Sequence, residues 1–382
     1  MKNVTVVFGT RPEAIKMAPV VAQLARFPSE IETTVCVTGQ HRGMLDQVLA
    51  LFNITPNIDL NVMRPNQALG DVTAHVVQGC QEAFHHHRPD IVMVHGDTTS
   101  SFGAALAAFY EQVPVGHVEA GLRTHDLTAP FPEEFNRQSI SKLATWHFAP
   151  TEDAKHNLLA EGIAAQSILV TGNTVVDALL GTIENIEKDD LLRASLEQDL
   201  DRILEFSWRE EPYLLVTAHR RENFGRGIDE ICSALASLSS EFPTLHILFP
   251  VHRNPMVLSP VHRSLGSVPN VHLLEPSSYA HFAWLLKHSH LVLTDSGGVQ
   301  EEAPTLDIPV LIMRDKTERP EATEAGTARL IGAHKDQIVS GTRQLLHDSE
   351  EYAHMSRAVN PFGDGKASER IVDALLKLGL RS

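Results

Sequence analysis

Only three cysteines occur in this chain, Cys36, Cys80 and Cys232, and none stands at CxxC or other metal-ligand spacing. That excludes a disulfide framework and a structural zinc site, and it fits a reducing compartment. No apolar run approaches the roughly 18 residues that a membrane-spanning helix needs. The opening segment, Met1 to Gly9, reads as a short strand running into a glycine and not as a signal peptide, so a cytoplasmic location is expected. A basic excess is missing as well. Against 32 Lys and Arg stand 48 Asp and Glu, a formal charge of −16, which counts against nucleic acid as a partner. A small anion remains possible, because a local group of arginines overrides net charge. No GxGxxG follows the first strand and no Walker pattern is present, so neither a bound nicotinamide nor P-loop chemistry is expected.

What the chain does have is length and alternation. Its 382 residues suit two domains of roughly 150–200 residues each. With 43% hydrophobic and 21% charged residues, it falls among globular proteins. Short, almost continuously apolar runs alternate with amphipathic stretches, the pattern of βα units around buried parallel strands. Strands are expected at Val4–Phe8, Thr33–Val37, Ile91–Val94, Val113–Val118 and Trp146–Ala149. A second set is expected at Tyr213–Thr217, Leu245–Val251, His272–Leu274, Leu291–Thr294 and Val310–Met313. Helical patterns fill the gaps, as in Ala14–Arg26, Ala68–Phe84 and Ser100–Tyr110. The charged stretch from Glu184 to Glu211 reads as a helical connector.

The fold class expected is α/β, with two Rossmann-like doubly wound domains facing across a cleft. The first spans residues 1–175 and the second 176–364. Residues 365–382 form a terminal helix, with Ile371, Ala374, Leu375 and Leu378 at helical spacing, docking back on the first domain. The triplet His85-His86-His87 reads as a solvated helix end. In such folds the chemistry sits where strands end.

The strand ends are where chemistry-bearing residues collect. Gly9-Thr10-Arg11-Pro12, followed by Lys16, brings two cations to a helix start, which suits an anion. By itself it equally suits a turn with two surface cations. Asp97 ends one strand, Glu119 another, and Glu133 with Glu134 opens a helix. Acids in a first helical turn are ordinary dipole partners. Three such ends in one half nevertheless favour proton transfer, since neighbouring carboxylates push one another's pKa upward. In the second half, His219-Arg220-Arg221 supplies a histidine and two guanidiniums suited to a diphosphate. Ser296-Gly297-Gly298 offers backbone N–H groups to a phosphate, and Glu302, one turn on, an acceptor for ribose hydroxyls. Arg314 to Glu321 adds a cation-rich loop.

These segments resemble the non-hydrolysing UDP-N-acetylglucosamine 2-epimerases of bacteria, a family with the two-domain GT-B fold. The resemblance runs from Gly9 to Gly365 through GTRPEAIKMAP (9–19), HGDTT (95–99), HVEAGLRT (117–124), FPEEFNR (131–137), TGNTVVDAL (171–179), HRRENFG (219–225), DSGGVQEEAP (295–304) and ERPEA (318–322). It implies anti elimination of UDP to 2-acetamidoglucal followed by re-addition, giving UDP-N-acetylmannosamine for cell-surface polysaccharide, with no cofactor and no metal. It implies catalytic roles for Asp97, Glu119, Glu133 and His219. Arg11, Lys16, Ser296, Gly297, Gly298, Glu302 and Arg319 would hold the nucleotide, with Ser277 and Phe282 near the base. The partners implied are UDP-N-acetylglucosamine, UDP-N-acetylmannosamine and UDP, and the assembly a homodimer. The chain departs from the family at Ser277, where Gln is frequent, and at Gly43, after Gln40-His41-Arg42. In some relatives this latter neighbourhood is an allosteric substrate site, so Gln40 and His41 are candidate allosteric residues.

Four other readings stand beside this one. A GT-B glycosyltransferase would share the fold and the nucleotide site, but seldom has three acids facing the sugar. A hydrolysing epimerase differs only in releasing N-acetylmannosamine and UDP. A catalytically silent sensor would be expected to lack one of the acids or His219. Metal-dependent chemistry fits worst, since His41, His95, His117 and His125 lack ligand spacing.

Overall fold

The computed structural model describes residues 1–39, 42–64 and 67–377. The chain folds as two compact units, Met1–Ala178 joined by the segment that begins at Phe362, and Leu179–Pro361. The expected borders at 175/176 and 364/365 therefore move to 178/179 and 361/362. The helix Thr174–Lys188 runs straight through the first border. At the second, Asn173 N–H donates to Phe362 O at 2.7 Å, so the returning chain is tied to the first unit before the terminal helix begins.

In the first unit seven strands form one sheet: β1 (Lys2–Phe8), β2 (Ile31–Val37), β3 (Ile58–Asp59), β4 (Ile91–His95), β5 (Val115–Val118), β6 (Trp146–Ala149) and β7 (Ile168–Val170). Their order is β3-β2-β1-β4-β5-β6-β7. Every pairing is parallel. β4 is apolar from Ile91 to Val94 and β1 from Val4 to Phe8 apart from Thr5, and both are buried there, as strands covered on both faces must be. Between these two the chain order reverses, which makes their carboxyl ends the switch point where ligands of this architecture bind.

Gly9 lies at that point, because no side chain fits there. A Cβ on it would stand 2.0 Å from Thr38 Oγ1 and 2.2 Å from Ser100 Oγ, two hydroxyls that hydrogen-bond to each other at 2.7 Å.

The terminal helix Ala367–Lys377 is bound to the first unit at both ends and along one side. Asp177 accepts from Ala367 N–H, Ser368 N–H and Ser368 Oγ at 3.1, 2.7 and 2.6 Å, capping its start from a distant part of the chain. Lys2 Nζ donates to the carbonyls of Leu375 and Leu376, both at 2.8 Å, at its end. Ile371, Val372 and Leu375 are fully buried, and the helix packs on Arg11–Leu24. Each such side chain contributes about 2 kcal/mol. Leu378 lies outside the described residues.

The second unit repeats the plan with β8 (Tyr213–Thr217), β9 (His246–Pro250), β10 (Val271–Leu274), β11 (Leu291–Thr294), β12 (Val310–Ile312) and β13 (Ala328–Leu330). Their order is β10-β9-β8-β11-β12-β13, again parallel throughout. Its switch point lies between β8 and β11. The stretch expected as a helical connector holds the end of the helix Thr174–Lys188 and the helix Asp190–Ile203, the second capped by Asp189. Among the described residues no helix is long and apolar enough to cross a membrane.

Candidate active site

In the first unit the helix Arg11–Leu24 starts directly at the switch point. Thr10 is its N-cap, and the Glu13 carboxylate closes a capping box by accepting Gly9 N–H at 3.0 Å and Thr10 N–H at 2.8 Å. The other Glu13 oxygen accepts from Thr98 Oγ1 at 2.6 Å and Ser101 Oγ at 2.7 Å, residues that open the helix after β4. This buried carboxylate therefore locks together the two loops of the switch point, a structural task that motif reading did not assign to it.

About one and a half turns into this helix, Lys16 comes against Glu119. The two side chains form a buried ion pair, about 10% and 8% exposed, although 103 positions separate them. Lys16, expected on the nucleotide, is thus held by an acid. Asn173 Nδ2 donates to the same Glu119 oxygen at 2.9 Å. His95 Nε2 stands 3.7 Å from it, buried and without a hydrogen-bond partner among the described residues. Glu119 itself adopts φ +62°, the left-handed region that a non-glycine side chain occupies at a cost of about 1 kcal/mol or more.

Asp97 follows β4 and is a quarter exposed. Its carboxylate takes Arg137 Nη2 at 2.5 Å and its carbonyl takes Asn136 Nδ2 at 2.9 Å, both from the helix Glu133–Leu143. The first turn of that helix splits its two acids. Glu134 is fully buried, accepting Thr124 N–H and His125 N–H at 3.1 Å each, and fastens the preceding loop. Glu133 is half-buried and has no hydrogen-bond or ionic partner among the described residues. Arg123, though inside the HVEAGLRT segment, is structural: its guanidinium grips Glu161 at 2.6 and 2.9 Å.

His95 and His117 are completely buried, and that burial lowers their pKa to about 4 and about 3. Both are neutral at physiological pH, and His117 Nε2 bonds Gly96 O at 2.7 Å. A histidine whose folded pKa lies below its unfolded value of about 6.5 adds stability above pH 6.5, and loses it as pH falls through the folded pKa. The stability of the first unit is therefore expected to fall steadily from pH 6.5 towards pH 4. Over that range each of the two groups accounts for about 3 kcal/mol. Chemical denaturation followed between pH 7 and pH 4 checks this; the slope should flatten in His117→Asn.

In the second unit the switch point is organised by Asp295, fully buried after β11. It accepts His219 N–H at 3.0 and 2.9 Å, Arg220 N–H at 2.9 Å and Asn223 Nδ2 at 3.0 Å. The imidazole of His219 sits about one-third exposed with Nδ1 3.5 Å from Asp295, stacked at 5.7 Å on His252. Burial draws its pKa down while Asp295 opposes the shift.

Beyond Asp295, Ser296 N–H is tied to Thr294 Oγ1 at 2.8 Å, and Gly297 and Gly298 begin the short helix Gly297–Glu302. A Cβ on Gly297 would meet the Arg319 guanidinium at 3.0 Å, so this turn and Arg319 are packed face to face. Arg319 is clamped by Glu301 at 2.6 Å and Glu318 at 2.9 Å. Burial opposes charge on Glu318, but Arg319, Arg314 and Arg220 together bring its carboxyl down to about 2. Glu302 is buried and accepts Tyr279 Oη at 2.9 Å. Ser277 and Phe282 flank Tyr279, both partly exposed. Gln40 and His41 lie outside the described residues. No group of three or more His, Cys, Asp or Glu among the described residues is arranged to hold a metal ion.

Motif reading named the acids, His219 and the glycine turn as candidates, and it quoted but gave no task to Glu13, Asn136, Arg137, Asn173 and Asp295. Their signal was their place within the same segments; their partners lie from about 40 to over 70 positions away in most cases, and spacing does not reveal such pairings.

Two parallel α/β units of Rossmann strand order, each with polar groups at its switch point, define a GT-B-type protein. Residues 23–376 match the family described as UDP-N-acetylglucosamine 2-epimerase. The enzyme of that name from Escherichia coli K12 is 53% identical over 373 residues, covering 98% of each chain. The crystal structure of UDP-GlcNAc 2-epimerase from Neisseria meningitidis bound to UDP-GlcNAc superimposes with a TM-score of 0.92. It is 49% identical, covering 99% of this chain and 100% of that one. The Methanocaldococcus jannaschii enzyme in complex with UDP-GlcNAc and UDP gives 0.83 at 33% identity, covering 98% and 99%. The chain belongs to the UDP-N-acetylglucosamine 2-epimerase family, and it is an enzyme with that activity.

Proposed function

We propose that the chain interconverts UDP-N-acetylglucosamine and UDP-N-acetylmannosamine without hydrolysis, by eliminating UDP and adding it back. The C2–H bond breaks and its electrons form the C1–C2 double bond of 2-acetamidoglucal, while the C1–O bond breaks and UDP leaves with that pair. Re-addition reverses both events, the proton arriving at C2 from the opposite face. The C2 proton is not acidic by itself, so positive charge developing at C1 as UDP departs has to activate it. Acids on the sugar and cations on the diphosphate are both required.

The observation that carries this reading is Glu119, a buried carboxylate held in a strained backbone against Lys16 and Asn173. Asp97, paired with Arg137, and Glu133, without a partner among the described residues, are the other two proton-handling groups of the reading. His219 is the fourth catalytic group of the reading; Arg11, Lys16, Arg319, Ser296, Gly297 and Gly298 serve the diphosphate, Glu302 the ribose, and Ser277 with Phe282 the uracil. The product would supply activated N-acetylmannosamine units for cell-surface polysaccharide. In this reading the protein works in the cytoplasm as a homodimer, which light scattering on the purified chain checks.

The test is chromatography of UDP-N-acetylglucosamine incubated with the purified chain. A steady mixture containing UDP-N-acetylmannosamine and no accumulating free UDP is expected. Stoichiometric release of UDP and N-acetylmannosamine would replace this reading with the hydrolysing one. Within the same assay, Glu133→Gln is expected to reduce turnover about 10²-fold or more, the scale of a lost acid–base group; a rate near that of the parent chain removes Glu133 from the proposed set.

A further inference from the structure

Glu302 presents its two carboxylate oxygens to different surroundings. Oε1 accepts the Tyr279 hydroxyl at 2.9 Å, with both residues more than nine-tenths buried. Oε2 faces the glycine turn, 3.9 Å from where a Cβ on Gly298 would stand. Tyr279 opens the helix Tyr279–His288, whose N-cap Ser278 accepts His281 N–H at 3.3 Å. The tyrosine therefore follows directly on the segment that carries Ser277, and its hydroxyl reaches across to the helix that begins at Gly297. A buried carboxylate needs donors to offset its lost hydration, and a neutral phenol is a donor of fixed direction.

We propose that Tyr279 is a positioning residue that sets the selectivity of the site for a ribose diol. By occupying Oε1 it fixes the carboxylate plane, so that Oε2 is aimed at the turn where a nucleoside diphosphate sits. Both vicinal hydroxyls of a ribose then find an acceptor already in place. Without the phenol, Oε1 loses a donor of fixed direction and the carboxylate's aim is lost. This inference rests on the reading of Glu302 as the ribose contact.

The experiment is calorimetric titration of the full chain and of Tyr279→Phe with UDP and with 2′,3′-dideoxy-UDP. The parent chain is expected to prefer UDP by about tenfold or more, the scale of hydrogen bonds to a charged acceptor. Tyr279→Phe should weaken UDP about five- to tenfold while leaving dideoxy-UDP unchanged. Tyr279→His, which keeps a ring donor, should recover part of the preference. Equal weakening of both ligands overturns the proposal, since a merely structural hydroxyl acts on the whole site. A Tyr279→Phe chain that does not fold overturns it for the same reason, and so does a full preference for UDP retained in Tyr279→Phe. A parent chain that binds UDP and dideoxy-UDP equally contradicts instead the assignment of Glu302 to the ribose, and the proposal falls with it.

Discussion

Glu119→Gln is expected to lower turnover by about 10³-fold, within the usual range for an acid–base group, while the fold survives. The amide is nearly isosteric, so the side chain keeps its volume and its place beside Asn173. It can no longer exchange a proton at C2, however, and Lys16 loses the negative partner that holds it. That second loss shapes the prediction. A buried ammonium without a carboxylate is costly, so some stability should go as well. It also leaves Lys16 more available to a diphosphate, so UDP affinity should hold or rise as turnover collapses. Steady-state rates and UDP titration on one preparation separate the two effects. Turnover within tenfold of the parent chain removes Glu119 from the chemistry. A parallel collapse in UDP affinity would recast it as a binding residue.

Asp295→Ala is expected to be among the most damaging single changes in the second unit. Three donors, the N–H groups of His219 and Arg220 and the Asn223 amide, converge on one carboxylate that solvent does not reach. Truncation leaves all three short of an acceptor and removes the negative charge beside the His219 imidazole. Breaking a buried charged network of this kind costs about 3–5 kcal/mol. For a unit of this size that lowers the melting midpoint by about 10 °C. Differential scanning calorimetry reads it directly. Because the loop from His219 to Asn223 loses its anchor, UDP binding should weaken in the same variant even well below the transition. Asp295→Asn, which keeps one acceptor oxygen, should fall between the two. A melting profile like that of the parent chain would show that the loop is held by something else.

How far the fold could be read from residues depended on burial. Tyr213–Thr217, Leu291–Thr294 and Trp146–Ala149 stand where their apolar runs placed them, because central strands are apolar on both faces. The strands β3, β7 and β13 had no such signal. They are edge strands of two or three residues with at least one partly or fully exposed position each, and nothing in their pattern separates them from loops. The site divides in the same way. Residue type and a strand-end position were enough to single out Asp97, Glu119, Glu133 and His219. Which groups they meet was not legible. Lys16 reads as a phosphate ligand in its segment, and its pairing with an acid 103 positions away leaves no trace there. Glu133 and Glu134 are neighbours of one chemical type, yet helix geometry buries one among backbone donors and leaves the other half-exposed. A helix turn of about 100° per residue separates their environments, and no composition rule does.

The measurement that bears most directly on the proposed reaction is proton NMR of UDP-N-acetylglucosamine incubated with the purified chain in deuterium oxide. Abstraction at C2 followed by return of a solvent proton predicts that the C2–H signal fades as UDP-N-acetylmannosamine grows in, with deuterium at C2 of the product. Product that forms with its C2 proton retained would contradict the account, because inversion would then have proceeded without proton transfer to solvent-exchanging acids.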